Sequence, residues 1–252
     1  MGDWAELKQE LALWRRNGLA LPLWWRDDDA TEPSDALDQL SAMAGDLGLP
    51  VHLAVIPEPA TPALAARCRD DAGIVPLVHG WAHRNHAPVG QKKSEFGHPR
   101  PGANAEIAAG LARMTTLFGQ GFAPVFVPPW NRLADAIRDE LPNLGFTAVS
   151  TFTPRQAAEP LPGLTQINTH IDPINWRGGG GLRPEADILA TLLQTLQDRR
   201  AGHTDATEPL GFLSHHLVHD PPIWQFTRTC LATLLDGGAE PCNLMSLKEP
   251  PA

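Results

Sequence analysis

Residues 19–29 read LALPLWWRDDD, an apolar run that ends in one basic and three acidic residues. The apolar part, Leu19–Trp25, has the length and composition of a buried β-strand. Short apolar runs of this kind alternate with amphipathic, helix-like stretches to the end of the chain. Such alternation is typical of a parallel sheet covered by helices.

Eight strands and seven helices are predicted in this way. The strands are Leu19–Trp25, Val51–Ile56, Ile74–Val78, Pro124–Val127, Phe146–Ser150, Leu164–Asn168, Gly211–Ser214 and Cys242–Met245. The helices are 4–16, 34–47, 60–71, 103–118, 132–141, 184–200 and 222–235. Because no linker or repeat divides the 252 residues, we expect one α/β barrel domain over residues 1–252, with its core at 19–247.

Composition limits the classes of partner. The formal net charge of −9 argues against nucleic acid, because a phosphate backbone requires a basic surface. No apolar run approaches the roughly 20 residues that span a bilayer, so no membrane partner is expected. Residues 1–18 lack a signal-peptide pattern, and Cys68, Cys230 and Cys242 form no disulfide framework or CxxC site. These features predict a cytoplasmic protein with reduced thiols.

Polar residues follow several of the predicted strands directly. They are Asp27–Asp29 after the first strand, His79 and His83 after the third, Pro128–Asn131 after the fourth, and His215 with His216 after the seventh. In α/β barrels the active site lies at the carboxyl ends of the strands. We therefore expect these residues to meet at one rim.

His79 and His83 are spaced as two metal ligands could be. On a helical turn this spacing places both imidazoles on one face, although an isolated pair of this kind is more often structural. Asp28 offers a third ligand, and a cation would offset the repulsion among the adjacent acids, as Arg26 also could. Two histidines and one carboxylate leave coordination positions open, as in a catalytic metal site.

Four short motifs carry a family resemblance: RDDD at 26–29, HGWAH at 79–83, VPPWN at 127–131 and LSH at 213–215. In order and spacing they resemble the motifs of the polysaccharide deacetylases, carbohydrate esterase family 4 or NodB-homology domain, across residues 19–220. The resemblance implies a distorted (β/α) barrel of seven or eight strands. It also implies hydrolysis of N-acetyl groups on amino sugars by a metal-activated water.

The resemblance assigns roles to particular residues. Asp27 is implied as the general base, and His215 as the general acid. Asp28, His79 and His83 are implied as ligands of a divalent ion, for which zinc is favoured although such donors select poorly among metals. Substrate-contacting or supporting positions are Arg26, Trp130, Asn131, Asp172 and His216.

Three features depart from the family pattern. Val127 stands where the family has an arginine that steadies the base, so Arg26 or Arg132 would have to replace it. Asn175 replaces the second acid of a motif that begins at Asp172. His215 and His216 both fit the late histidine, and the preceding Leu-Ser favours His215.

These departures leave other functions open. One alternative is a metal-dependent hydrolase of another C–N amide or of an ester, with a small amide as substrate. A second alternative is a non-catalytic carbohydrate-binding barrel. Asp27 and a late histidine argue against the second alternative, because binding alone needs neither a base nor an acid.

Overall fold

A computed structural model describes residues 3–245 as a curled parallel sheet with helices packed around it. The strands are β1 (Pro22–Ala30), β2 (Val51–Val55), β3 (Ile74–His79), β4 (Val125–Val127), β5 (Ala148–Val149), β6 (Thr165–Gln166), β7 (Leu210–Ser214) and β8 (Glu240–Pro241). The helices are α1 (Trp4–Arg16), α2 (Asp35–Leu47), α3 (Pro62–Arg69), α4 (Ala103–Phe118), α5 (Asp135–Arg138), α6 (Glu185–Arg200) and α7 (Pro221–Asp236).

The strand order shows how the sheet curls. Seven strands run β6-β5-β4-β3-β2-β1-β7, and the short β8 pairs with the start of β1. After β6 the chain continues to Ile171, which forms a parallel bridge with Phe212 of β7. The two ends of the sheet thereby meet, and the fold is a distorted α/β barrel, as the sequence predicted.

Two apolar clusters define the inner and outer faces of the sheet. Trp24 packs in the smaller cluster with Ala54, Leu77 and other side chains that fill the barrel interior. Trp25, the next residue, points the opposite way into the larger cluster between sheet and helices. This alternation along β1 follows from the pleat of a strand, and it decides which way the acidic residues after Trp25 face.

Most predicted elements are present, with different ends. β1 begins three residues later than predicted and, instead of ending at Trp25, continues through the acidic residues to Ala30. The predicted helix 132–141 is reduced to Asp135–Arg138, and the predicted strand at Cys242–Met245 is replaced by Glu240–Pro241. The predicted core limit of 247 lies outside the described residues. Within residues 3–245, no helix is long and apolar enough to cross a membrane.

His52 occupies a fully buried position on β2. Its Nδ1 lies 3.0 Å from the carbonyl oxygen of Trp25, and its Nε2 accepts a 3.0 Å hydrogen bond from the backbone N–H of Leu244. The accepting Nε2 must be unprotonated, so the imidazole is neutral. Burial also favours the neutral ring, because a charged imidazole would lose its solvation, and it lowers the pKa of His52 to about 4.

We therefore predict that stability falls as the pH drops from about 6.5, the pKa of an unfolded histidine, to about 4. In that window the unfolded state binds a proton that the native state excludes, which costs about 1.4 kcal/mol per pH unit. Urea unfolding across the window should show a smaller dependence on pH in His52→Gln than in the surface control His203→Gln. Equal dependence in both variants would contradict the prediction.

Candidate metal centre and cleft

A β-bulge at the end of β1 sets the geometry of the site. Asp27 pairs with Leu53 of β2 and Ala30 pairs with Val55, so β1 carries one extra residue between these pairs. Asp29 is in the left-handed region, with φ of 78°. Because a bulge re-aims the side chain that follows it, Asp28 and Asp29 both line the same cleft, whereas regular alternation would separate them.

Asp29, His79 and His83 form the candidate metal centre. Asp29 Oδ1 lies 3.0 Å from His79 Nε2 and 3.3 Å from His83 Nε2, and the three ligand atoms lie within 4.8 Å of one another. The structure thus brings Asp29 to the histidines, in place of the predicted Asp28. Burial alone would raise the pKa of Asp29, but the hydrogen bond and charge of His79 hold it below its usual range.

The donor set fits a divalent cation. His79 Nδ1 lies 3.0 Å from the carbonyl oxygen of Val127, so this nitrogen donates to the backbone and Nε2 is the atom that faces Asp29. Burial would lower the pKa of His79, but the charge of Asp28 and the hydrogen bond to Asp29 raise it, so Nε2 holds a proton against that carboxylate. A divalent cation can take the place of this proton, and two imidazoles with one carboxylate are the ligands of many catalytic zinc sites.

The segment that carries the two histidines is a loop, not the helical turn that their spacing suggested. Gly80 and His83 have φ of 57° and 54°, which no helix contains. The buried Glu95 organises this loop: its carboxylate accepts hydrogen bonds from the backbone N–H groups of Trp81 at 3.1 Å and Ala82 at 2.9 Å. Sequence reasoning missed Glu95, because nothing in its neighbourhood distinguishes it from a surface acid.

Asp28 is held by a fully buried arginine. Arg26 Nε and Nη2 lie 2.9 and 3.0 Å from the two Asp28 carboxylate oxygens. The same guanidinium donates to Asn131 Oδ1 at 2.7 Å and to Ser150 Oγ at 2.7 Å. Arg26 therefore supplies the carboxylate-steadying guanidinium that Val127 cannot.

Arg132, the other candidate for that role, points elsewhere. Its Nη1 donates to the carbonyl oxygen of Lys93 at 2.6 Å. It lines the cleft, and its guanidinium forms no ion pair with Asp28.

Asp27 lies on the opposite face of β1 from Asp28, alongside Trp25, and does not line the cleft. Its fully buried carboxylate accepts hydrogen bonds from Ser214 Oγ at 2.5 Å and from the backbone N–H of His216 at 2.9 Å. His216 Nδ1 lies 2.5 Å from the other oxygen. Burial would raise the pKa of Asp27, but the charge and hydrogen bond of His216 and the hydrogen bond of Ser214 together lower it. Asp27, predicted as the base, therefore lies outside the cleft, with its carboxylate engaged by Ser214 and His216.

The two adjacent histidines after β7 separate cleanly. His216 is buried with Asp27, whereas His215 lines the cleft. Trp176 packs against the His215 ring with centroids 4.8 Å apart, and its Nε1 donates to Asp172 Oδ2 at 2.8 Å. Burial raises the pKa of Asp172. Asp172 thus positions the tryptophan that contacts His215.

The cleft that unites these groups has a volume of about 970 Å³. Trp130 forms part of its wall and packs on the His83 ring, with centroids 4.2 Å apart. Trp130 and Asn131 both have positive φ, 58° and 56°. Non-glycine residues rarely adopt this conformation, and such strained positions cluster at functional sites.

No sequence family and no curated protein matches the chain by sequence. Solved structures do match. A Mycobacterium smegmatis protein assigned to the polysaccharide deacetylases has a TM-score of 0.59 and 14% identity, over 85% of both chains. The fold is that of the polysaccharide deacetylases.

Two further structures with the deacetylase fold have different activities. The chitin deacetylase of Colletotrichum lindemuthianum matches with a TM-score of 0.52 and 14% identity, over 91% of this chain and 88% of that one. A carbohydrate esterase family 4 pseudoenzyme from Bacillus anthracis matches with a TM-score of 0.57 and 14% identity, over 92% of this chain and 66% of that one. The deacetylase fold therefore does not settle activity, which depends on the residues in the cleft.

We predict that Asp29→Asn abolishes tight metal binding and that Asp28→Asn retains one ion per chain. Loss of a group outside the ligand set typically costs about 10–100-fold in metal affinity, and loss of a ligand costs more. Metal analysis after dialysis measures the bound ion, with the exposed Glu32→Gln as a charge-matched control. Retention by Asp29→Asn together with loss in Asp28→Asn would return the ligand role to Asp28.

Asp27→Asn should reduce the free energy of unfolding by about 3–5 kcal/mol, because removal of one partner breaks a buried ion pair. Denaturant unfolding of this variant, compared with Glu32→Gln, measures the loss. Full stability in Asp27→Asn would contradict a structural role for this carboxylate.

Proposed function

We propose that this protein is a metal-dependent hydrolase that removes N-acetyl groups from an amino sugar or glycan. One observation carries the proposal. A carboxylate fixed by a buried arginine, a three-donor metal centre and an imidazole lie together in one cleft. The carboxylate can act as a base, the metal centre can hold a Lewis-acidic ion and the imidazole can act as an acid, and hydrolysis of an amide uses all three.

The two aspartate roles each lie one residue later in the chain than the motif resemblance implied, and the histidine roles are the same. We assign the base to Asp28 and the metal ligands to Asp29, His79 and His83. A bound divalent ion would supply Lewis acidity, polarising a carbonyl oxygen and making water easier to deprotonate. Zinc is the ion that we propose, since the donor set suits it.

Asp28 is placed to accept a proton in the cleft. Its carboxylate is held from behind by Arg26, so its orientation does not depend on substrate. A base that is already oriented avoids part of the entropic cost of reaching the transition state. Asn131 adds to this support, because its side-chain oxygen accepts from the same guanidinium.

His215 is the group that we assign to protonation of the leaving amine. Its ring lines the cleft, and its Nδ1 has no hydrogen-bond partner within the described residues. Trp176 packs on its edge and thereby limits its orientations. A general acid has to reach the leaving nitrogen, and His216, buried with Asp27, cannot.

The choice of an N-acetyl sugar is supported by the deacetylase fold and by the cleft walls. Trp130 and Trp176 present aromatic surface beside the candidate catalytic groups. Aromatic faces suit the apolar side of a sugar ring. The cytoplasmic location expected from the sequence remains a proposal, because the structure adds only that residues 3–245 contain no membrane-spanning helix.

Acetate release from N-acetylated chito-oligosaccharides tests the proposal. We expect zinc-loaded protein to release acetate, chelation to abolish release, and added zinc to restore it. Asp28→Asn should lower kcat by about 10²–10⁴-fold while keeping its metal, as expected for loss of a general base. Glu32→Gln should match wild type. Release of acid from esters but not from N-acetyl amides would change the proposed substrate bond from an amide to an ester. If zinc-loaded protein hydrolysed neither amides nor esters, the proposed hydrolase activity would be refuted.

A further inference from the structure

A second cleft, which we call the side cleft, adjoins the catalytic one. It has a volume of about 530 Å³ and shares Asn131 and Arg132 with the catalytic cleft. Lys92, His98 and Arg132 lie in its wall, and among the described residues that line it there is no Asp or Glu. The side cleft therefore has positively charged walls, although the chain as a whole has a net charge of −9.

The cations at the junction of the two clefts are not neutralised by the protein. Within residues 3–245, no carboxylate oxygen lies within 4.0 Å of a Lys92, Lys93 or Arg132 side-chain nitrogen. Arg132 is half-buried, and its bond to the Lys93 carbonyl holds both residues in place. Arg100, which is also half-buried, differs in that it pairs with Glu106.

A buried hydroxyl in the side cleft also lacks a partner. Ser94 is 2% exposed, and its Oγ has no hydrogen-bond partner within the described part of the chain. Gly97 lies beside it, and a Cβ at position 97 would come within 2.6 Å of that Oγ. An unsatisfied buried hydroxyl costs free energy unless a ligand or water satisfies it. Ser94 is thus an available donor next to Arg132.

We propose that the side cleft binds an anionic substituent of the substrate, a carboxylate or a phosphate, carried beside the N-acetyl group that is cleaved. The inference rests on the proposed function, because the side cleft opens from the catalytic one. Arginine and lysine recognise these anions through charge-assisted hydrogen bonds. A cleft lined by one sign of charge also concentrates oppositely charged ligands. The substrate class is therefore an acidic N-acetylated glycan.

Three probes of equal length test the inference: a neutral N-acetylated chito-oligosaccharide, the same chain with one ring oxidised to a uronate, and the same chain with one phosphate ester. Calorimetry with zinc-loaded protein at 4 °C, where turnover is slow, gives each affinity. We expect the anionic probes to bind about tenfold more tightly than the neutral one, as one charged hydrogen bond gained would produce. The uronate and phosphate arms show which anion is preferred.

Variants localise the effect. Lys92→Gln/Lys93→Gln and, separately, Arg132→Gln should abolish the preference for anions, measured within each variant as the ratio of its affinities for the anionic and the neutral probes. Lys8→Gln, on the exposed face of α1, removes a positive charge away from both clefts and should keep the preference. The double lysine variant keeps the test valid if Arg132→Gln disturbs the loop.

The outcomes separate the two proposals. Equal affinity for charged and neutral probes, or a preference that survives both variants, overturns the side-cleft inference whether or not acetate is released. A preference that these variants remove supports it. Acetate release is measured separately with the same probes, so absence of release together with a retained preference for anions would overturn the proposed function alone.

Discussion

The mouth of the barrel depends on one buried guanidinium. Arg26 is fully buried, and burial of a charge is costly unless it is paired and hydrogen-bonded. Its partners come from three places: Asp28 on β1, Asn131 in the turn after β4, and Ser150 after β5. Each partner is needed to offset the desolvation, so these three segments are fixed relative to one another. This requirement makes the cleft rigid, because the walls that contain Asp28 and Asn131 cannot separate without leaving the Arg26 charge unpaired.

Because of the bulge on β1, the three consecutive aspartates have three different sets of partners. Asp27 ties β1 to the end of β7, Asp28 pairs with Arg26, and Asp29 faces the two histidines. On a regular strand Asp27 and Asp29 would share a face and only Asp28 would oppose them. The positive φ of Asp29 breaks this alternation and adds a second carboxylate to the cleft. The assignment of base and metal ligand therefore depends on backbone conformation and not on residue type.

Sequence patterns predicted the order of strands and helices, the barrel and the convergence of the motifs, because these depend on periodicity and on where strands end. They could not predict which of Asp27, Asp28 and Asp29 faces the histidines, since three identical side chains do not show where the bulge lies. The helical turn predicted for the segment from His79 to His83 was wrong because Glu95, which is distant in sequence, supplies the acceptors that stabilise a loop there. The sequence offered Arg26 and Arg132 as substitutes for the arginine that is absent at Val127. Only the distances in the structure show that Arg26 contacts Asp28 and Arg132 does not.

Several non-glycine residues around the cleft have left-handed backbone conformations, and their energetic cost differs. Asp, Asn and His adopt the left-handed conformation more readily than other residues, so the positive φ of Asp29, His83 and Asn131 is a modest cost. Trp130 has no such tendency, and a position of this kind costs about 1–3 kcal/mol and persists only where its surroundings fix it. That conformation places the indole on the His83 ring, in the wall of the cleft. The strained backbone of Trp130 therefore fixes the orientation of His83, one of the three donors of the candidate metal centre.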